Sequence, residues 1–434
     1  MTEDDADTIG ALMDTATTAA TGATPATGAT PATGATPAGP AGTPPPDTAA
    51  DLATATPPEV SYVFTDEQRQ LQEMVRDLLG DRATPERVRA VMLGETDAAY
   101  DTGLWQELAG YGLLGLTIPA GYGGAGASFA ELAILLEEAG RRLAPVPLLS
   151  SIVLGTEALL AAGTEQQRAT HLPGVAAGTT RLALAHLDVG GDLLSPPGVH
   201  ASRTGEHWHL DGTAAYVIDG ASATHLVAAA RTDTGGLELF LLGATADGIS
   251  RTEVEVLDLT RPLATIELAG VEVTEEHRLS GGDAMAALHR ALTAGVVALA
   301  VEQVGGIQHT LELTTAYARD RIQFGRAIGS FQAIKHRLAD MLVELESARS
   351  AALHAARVLA AGERTELAIA APLAKSYCSE VYERSAADGI QLFGGIGFTW
   401  EHDQHLYLKR AKATKLLLGD PKHHRALLAE LLGL

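Results

Sequence analysis

Three stretches near the carboxyl end decide the reading. They are Tyr317-Ala318-Arg319-Asp320-Arg321-Ile322-Gln323-Phe324-Gly325, then Ile328-Gly329-Ser330-Phe331-Gln332-Ala333, then Gln391-Leu392-Phe393-Gly394-Gly395-Ile396-Gly397-Phe398-Thr399. The glycine turn in the last is not a dinucleotide-binding Rossmann fingerprint, because no strand precedes it and no GxGxxG is present. Around these stretches the helical period holds from about residue 283 to the end. Residues 331–361 suit one long bundle helix, with Leu338, Leu342 and Leu345 marking a face.

Working back, the period becomes two between about 181 and 275. Leu237, Leu239 and Leu241 alternate after Gly235-Gly236, and Ile266 with Leu268 and Val271 with Val273 do likewise. Asp211-Gly212 predicts a hairpin between Trp208-His209-Leu210 and Tyr216-Val217-Ile218. Earlier still the pattern is helical. Thr65 with Gln68 is a capping-box signal, Leu71, Val75 and Leu78 follow at helical spacing, and residues 105–116, 129–143 and 152–162 read as further helices. This order predicts an α-helical domain over 61–180, a small antiparallel β domain over 181–279 and a helical bundle over 280–434. Residues 1–60 repeat ATGATP three times, over 20–25, 26–31 and 32–37, and read as a disordered Ala/Thr/Gly/Pro-rich tail.

Composition narrows the function. A chain of 434 residues is too long for one compact core. With 31 Lys and Arg against 54 Asp and Glu, the formal charge of −23 offers no basic footprint for nucleic acid and disfavours an anionic membrane surface. One cysteine, Cys378, excludes an internal disulfide framework and a Cys-rich metal site; its helical setting predicts a small buried residue. The start is acidic where a signal peptide is basic, and the uncharged apolar run near 292–301 is about half a bilayer span. A soluble cytoplasmic protein, with no nucleic acid and no membrane insertion, is the expectation.

The three quoted stretches, together with Trp105-Gln106-Glu107-Leu108 and Pro119-Ala120-Gly121-Tyr122-Gly123-Gly124, resemble the acyl-CoA dehydrogenase family across roughly 64–434. The resemblance implies that family's fold: a helical amino-terminal domain, a β middle domain and a carboxyl-terminal four-helix bundle. It implies FAD as cofactor and α,β-desaturation of an acyl-CoA thioester. There a carboxylate takes the α proton, flavin takes the β hydrogen, and an electron-transfer flavoprotein reoxidises the flavin. It also implies a tetramer of like or paralogous subunits, because the family's flavin sites straddle an interface.

The two halves of that shared site read differently. By motif match, Arg321, Phe324, Gln332, Gln391, Gly394 and Gly395 form the half that reaches a neighbour's flavin. A guanidinium suits pyrophosphate, and glycines let backbone N–H groups approach closely. The receiving half matches Ala183-Leu184-Ala185-His186-Leu187-Asp188-Val189-Gly190-Gly191-Asp192 and Tyr216-Val217-Ile218, where the family's hydroxyl-bearing positions are lost. The base is missing too: Leu418 and Gly295 hold the places where the family's two branches carry Glu, which leaves the catalytic base unassigned. Asp420, Glu302, Glu401 and Asp403 are the nearby carboxylates.

This asymmetry points to one subunit of a heteromer with a complete paralogue, as in actinobacterial branches where two unlike subunits form α2β2 assemblies. A non-catalytic scaffold that completes a partner's flavin site, and a flavin oxidase or monooxygenase on the same fold, are the alternatives. His402, Asp403, His405, His423 and His424 belong to the family's turn and helices rather than to a metal site. Lys409, Arg410, Lys412, Lys415 and Lys422 form a basic cluster able to steer CoA phosphates or an acidic partner. Asp258-Leu259-Thr260-Arg261 is expected to be structural, its arginine paired within the β domain. The acyl chain is not specified.

Overall fold

A computed structural model describes residues 64–434 apart from Asp97 and Leu194; the tail assigned to 1–60 lies outside the described residues. The first helix begins as its sequence dictates. Thr65 caps α1 (Asp66–Arg82), with its hydroxyl accepting the Gln68 N–H and the Gln68 side chain reaching back to the Thr65 N–H. Then come α2 (Pro85–Met92), α3 (Thr102–Gly110) and α4 (Phe129–Arg142), whose Ser128–Glu131 pair repeats the capping box. The helix expected over 152–162 is two pieces: a π-helix, Leu148–Gly155, continues into α5 (Thr156–Ala162). Such wide turns concentrate at functional sites. Helix α6 (Glu165–Ala176) completes the segment.

Seven strands follow: β1 (Leu182–Ala185), β2 (Val199–Thr204), β3 (His207–Ile218), β4 (His225–Thr232), β5 (Leu237–Gly243), β6 (Ile249–Val254) and β7 (Leu263–Thr274). The sheet runs β1-β4-β2-β3-β7-β6, with β5 on β4. It is mixed rather than wholly antiparallel, since β4 runs parallel to both β1 and β2. Alternation reveals which face a residue takes but not strand direction, which the connections set. Asp211-Gly212 is not a hairpin either. Strand β3 passes straight through it, and the register with β7 shifts between Leu210 and Gly212. Gly212 has φ 131°, so the two residues that signal a turn form a bulge.

Beyond the sheet, α7 (Ala284–Asp320) is the central helix of the bundle, packed by α8 (Gln332–Ala361), α9 (Arg364–Phe393) and α10 (Gln404–Leu416), while α11 (Pro421–Leu431) packs on α9. By length and composition α7 passes for a membrane span, but most of its apolar stretch is buried inside the fold. The apolar core forms two bodies. One joins the helices through residues such as Trp105, Leu135, Leu299 and Tyr382; the other lies within the β layer around Trp208, Phe240 and Ile266. On α8, Leu345 is buried as expected, whereas Leu342 is half exposed beside the exposed Val343.

Candidate functional site

The motif residues near the carboxyl end gather at one end of the bundle. Helix α7 stops at Asp320, and a short hairpin (β8, Ile322–Gln323; β9, Arg326–Ala327) follows. Phe324 sits at its tip with φ 52° and is 89% exposed. Arg326 lies over the Phe331 ring at 4.1 Å, and Gln332 is hydrogen-bonded to His336 at 2.6 Å. Tyr317 and Phe393 place their rings 4.5 Å apart, which brings the end of α7 onto the end of α9. There α9 ends at Gly394, with φ 66°; a side chain on Gly394 or Gly395 would meet nothing within 4 Å. Arg321, Gln332, Gln391, Gly394 and Gly395 are all exposed, and Arg321 makes no ion pair among the described residues. Ile322, Ile396, Phe398 and Trp400 leave apolar surface on the same two segments. An exposed guanidinium, an aromatic and open glycines make a surface that fits a dinucleotide presented from outside the chain.

The receiving side is built otherwise. Leu182 and Leu184 of β1 join the helical core while Ala183 and Ala185 face the sheet core, so neither Ala185 nor the strand around it offers a hydroxyl. Both His186 ring nitrogens are buried without a partner, and burial pushes the imidazole down to about 4. Tyr216 has φ 53°, and its ring covers Gly191 so closely that a Cβ there would lie 2.8 Å from Cε2. Ile218 is buried apolar core. Of the residues matched to this half, Tyr216 alone among Ala183, Ala185, Tyr216 and Ile218 carries a side-chain hydroxyl to offer a flavin ring.

The two positions that the family resemblance assigns to the base meet in space. A Cβ on Gly295 would lie 2.7 Å from Leu418 Cδ1 and 2.6 Å from Leu154 Cδ2, the last on the π-helix. Leu418 is buried, with φ 55°. Two positions 123 residues apart in sequence thus face one spot, and apolar atoms fill it.

Each nearby carboxylate is engaged elsewhere or exposed. Glu302, two turns along α7 from Gly295, is paired with Arg261 and accepts Arg410 Nη1 at 2.7 Å. Burial pushes its carboxyl up, but the two guanidiniums outweigh that and hold it below the usual range. Asp420 caps α11, accepting the His423 N–H at 2.7 Å. Asp403 pairs with Arg89 at 2.6 Å, and Glu401 is exposed.

Several expectations change here. Arg261 pairs with α7 rather than inside the β domain, so its loop ties the sheet to the bundle. The basic cluster is not a free cationic patch. Arg410 is buried, donating to Asp258 at 2.5 Å and to Glu302, while Lys412 and Lys415 both pair with Glu383. Lys409 lies over the Trp400 ring at 4.4 Å. His402 accepts the Gln404 N–H, and His424 donates to Leu418 O at 2.9 Å. Cys378 is buried, as its helical setting implies. Sequence singled out Asp258–Arg261 as a structural segment, Glu302 as a carboxylate and Arg410 within a basic run, but not that the four form one buried group. The buried Lys375 gave no sequence signal at all.

Family models match at both ends: "Acyl-CoA dehydrogenase, N-terminal domain" over residues 65–179 and "Acyl-CoA dehydrogenase, C-terminal domain" over 283–433. The acyl-CoA dehydrogenase IpdE2 of Mycobacterium tuberculosis is 35% identical over 368 residues, covering 85% of this chain and 95% of that protein. Among solved structures, a variant of the Tcur3481-Tcur3483 steroid ACAD is 35% identical, with a TM-score of 0.76 over 85% of this chain and 98% of that one. The ChsE4-ChsE5 complex from Mycobacterium tuberculosis is 28% identical, with a TM-score of 0.78 over 86% and 99%. With its helical ends flanking a β layer and its motifs in family order, this chain belongs to the acyl-CoA dehydrogenase family.

Proposed function

We propose that this chain is the supporting subunit of a heteromeric, FAD-dependent acyl-CoA dehydrogenase. It lends Arg321, Phe324, Gln332, Gln391, Gly394 and Gly395 to a dinucleotide seated mainly in a paralogous subunit. That subunit supplies the carboxylate that takes the α proton of an acyl-CoA. FAD, when bound, accepts the β hydrogen as hydride. The role of this chain is to hold and orient: Arg321 neutralises phosphate charge through a two-pronged contact, and the open glycine turn lets backbone N–H groups approach the dinucleotide. An electron-transfer flavoprotein as electron acceptor and a cytoplasmic setting complete the reading.

The observation that carries it is the meeting of Leu418, Gly295 and Leu154 where the family places its base. Neither Leu nor Gly can take a proton, and Glu302, the carboxylate two turns along α7, is already held by two arginines. The ChsE4-ChsE5 complex, a structural relative with two unlike components, gives a precedent for such an assembly.

The test is to purify the chain alone and with a paralogous family member from the same source. Flavin absorbance is then measured, together with acyl-CoA-dependent reduction of a dye acceptor in air and without it. The chain alone is expected to carry no flavin and show no turnover; the pair is expected to show both. Full flavin occupancy with turnover by the chain alone would overturn the proposal, and strictly oxygen-dependent turnover would favour an oxidase.

A further inference from the structure

The turn after α10 is far more tightly held than an inert surface connection requires. Residues 416–420 carry Leu418 at φ 55° and Gly419 at φ 93°. A leucine in the left-handed region persists only where its surroundings impose it. Two side chains rooted on other helices do so.

Lys375, on α9, is fully buried. Its Nζ donates to Thr414 O at 2.9 Å, Gly419 O at 3.1 Å, Lys415 O at 3.2 Å and Ser379 Oγ at 3.1 Å. No carboxylate is hydrogen-bonded to it among the described residues; its partners are three backbone carbonyls and one hydroxyl. From the other side, His424 on α11 donates to Leu418 O at 2.9 Å. The carbonyls at the end of α10, which have no helical partner, and those of the turn are thus served by two buried polar side chains. An apolar residue at 375 would fill the space without removing an ammonium from water. The lysine's distinctive contribution is therefore directional, fixing the path of the backbone that presents Leu418.

We propose that Lys375 and His424 are positioning residues that seat Leu418 as a plug against Gly295 and Leu154, closing this chain's own acyl cleft. The inference rests on reading residues 416–420 as the turn that carries the base elsewhere in the family. It adds that the vacated position is held shut rather than merely empty.

The experiment reads the plug directly. Cys378 is the chain's sole cysteine, is buried, and has a thiol that burial pushes up to about 12, so it does not compete for a thiol reagent. In the full chain carrying Leu418→Cys, the rate of maleimide labelling at position 418 is measured by peptide mass. Labelling is expected to be slow in this parent and at least tenfold faster when Lys375→Met is added. With Lys375→Gln, whose amide keeps donors, the rate is expected to stay near the parent's. His424→Leu, which removes the donor on the opposite side, is expected to accelerate labelling as well and serves where Lys375→Met does not fold.

Cys378 lies one turn from Lys375 and is expected to stay unlabelled throughout. Equal rates in all variants would overturn the proposal. So would Cys378 labelling in step with position 418, which would mean that α9 itself had loosened. The assay needs neither flavin nor turnover, so its failure is separable from failure of the supporting-subunit reading.

Discussion

The end of α7 and the turn after α10 both lie in family motifs, yet they are built in opposite ways. At the first, Phe324 stands 89% exposed, Gly394 has open space above it and Arg321 has no charged partner among the described residues. At the second, Leu418, Gly295 and Leu154 interlock, and eight residues back along the chain Arg410 is locked between Asp258 and Glu302. A surface that serves a neighbour's ligand must remain open until the neighbour arrives. An interior spot with no charged group fills with apolar atoms, because interiors pack to near-crystalline density. The difference separates an open outward surface from a closely packed inner contact.

The sharpest contrast comes from two arginines. Arg410→Ala leaves Asp258 buried without its guanidinium and Glu302 with one arginine fewer. It should cost roughly 3–5 kcal/mol of stability, read by denaturant unfolding. Arg321→Ala removes an exposed side chain and should change stability by less than about 0.5 kcal/mol. In the reconstituted heteromer it should nevertheless weaken flavin retention by about tenfold or more, the scale of a charge-assisted contact of about 1.5–3 kcal/mol. Equal effects on stability would break the comparison.

Gly295→Ala places a Cβ into both Leu154 and Leu418 and should cost about 1–3 kcal/mol by overpacking, read as a lowered unfolding midpoint. Gly394→Ala meets no neighbour but must adopt φ 66°. With ψ −143° this backbone is close to glycine-only, and the expected cost is about 1–3 kcal/mol. Its larger consequence should be on flavin retention.

The smallest test uses pH. Burial pushes the Lys375 ammonium down to about 7, with Lys415 acting in the same direction and Cys378 and Asp420 opposing. The unfolded lysine keeps its proton until about 10.4. Between those values the unfolded state binds more protons, so stability should rise with pH. The difference in unfolding free energy between wild type and Lys375→Met should therefore increase from pH 7 toward pH 10. A flat difference would mean that the lysine holds its proton throughout.

Much of this was legible in the chain. The order of helical, alternating and helical periods gave the layers, because burial of one face imposes those periods. Thr65 and Gln68 announced the start of α1 through a local hydrogen-bond pattern that needs no tertiary context. That Leu418 and Gly295 carry no group able to take a proton was readable from residue type alone. Other features were not. Asp211-Gly212 looked like a turn because glycine's positive φ serves a bulge as well as a hairpin. Strand direction was hidden, since alternation is identical in parallel and antiparallel pairs. The partners of Arg261, Arg410 and Lys375 lie on distant elements, and no spacing rule reveals which buried cation meets which acceptor. Nor could sequence show that Leu418 and Gly295 share one spot, because that depends on how α7 and the turn after α10 are packed.

The central claim is that this chain contributes to a flavin site without owning one. Its most direct test is the FAD stoichiometry of the purified assembly with its paralogous partner, from flavin absorbance against protein quantified by amino-acid analysis. One FAD for each pair of unlike chains is the predicted result. One FAD for every chain would contradict the account.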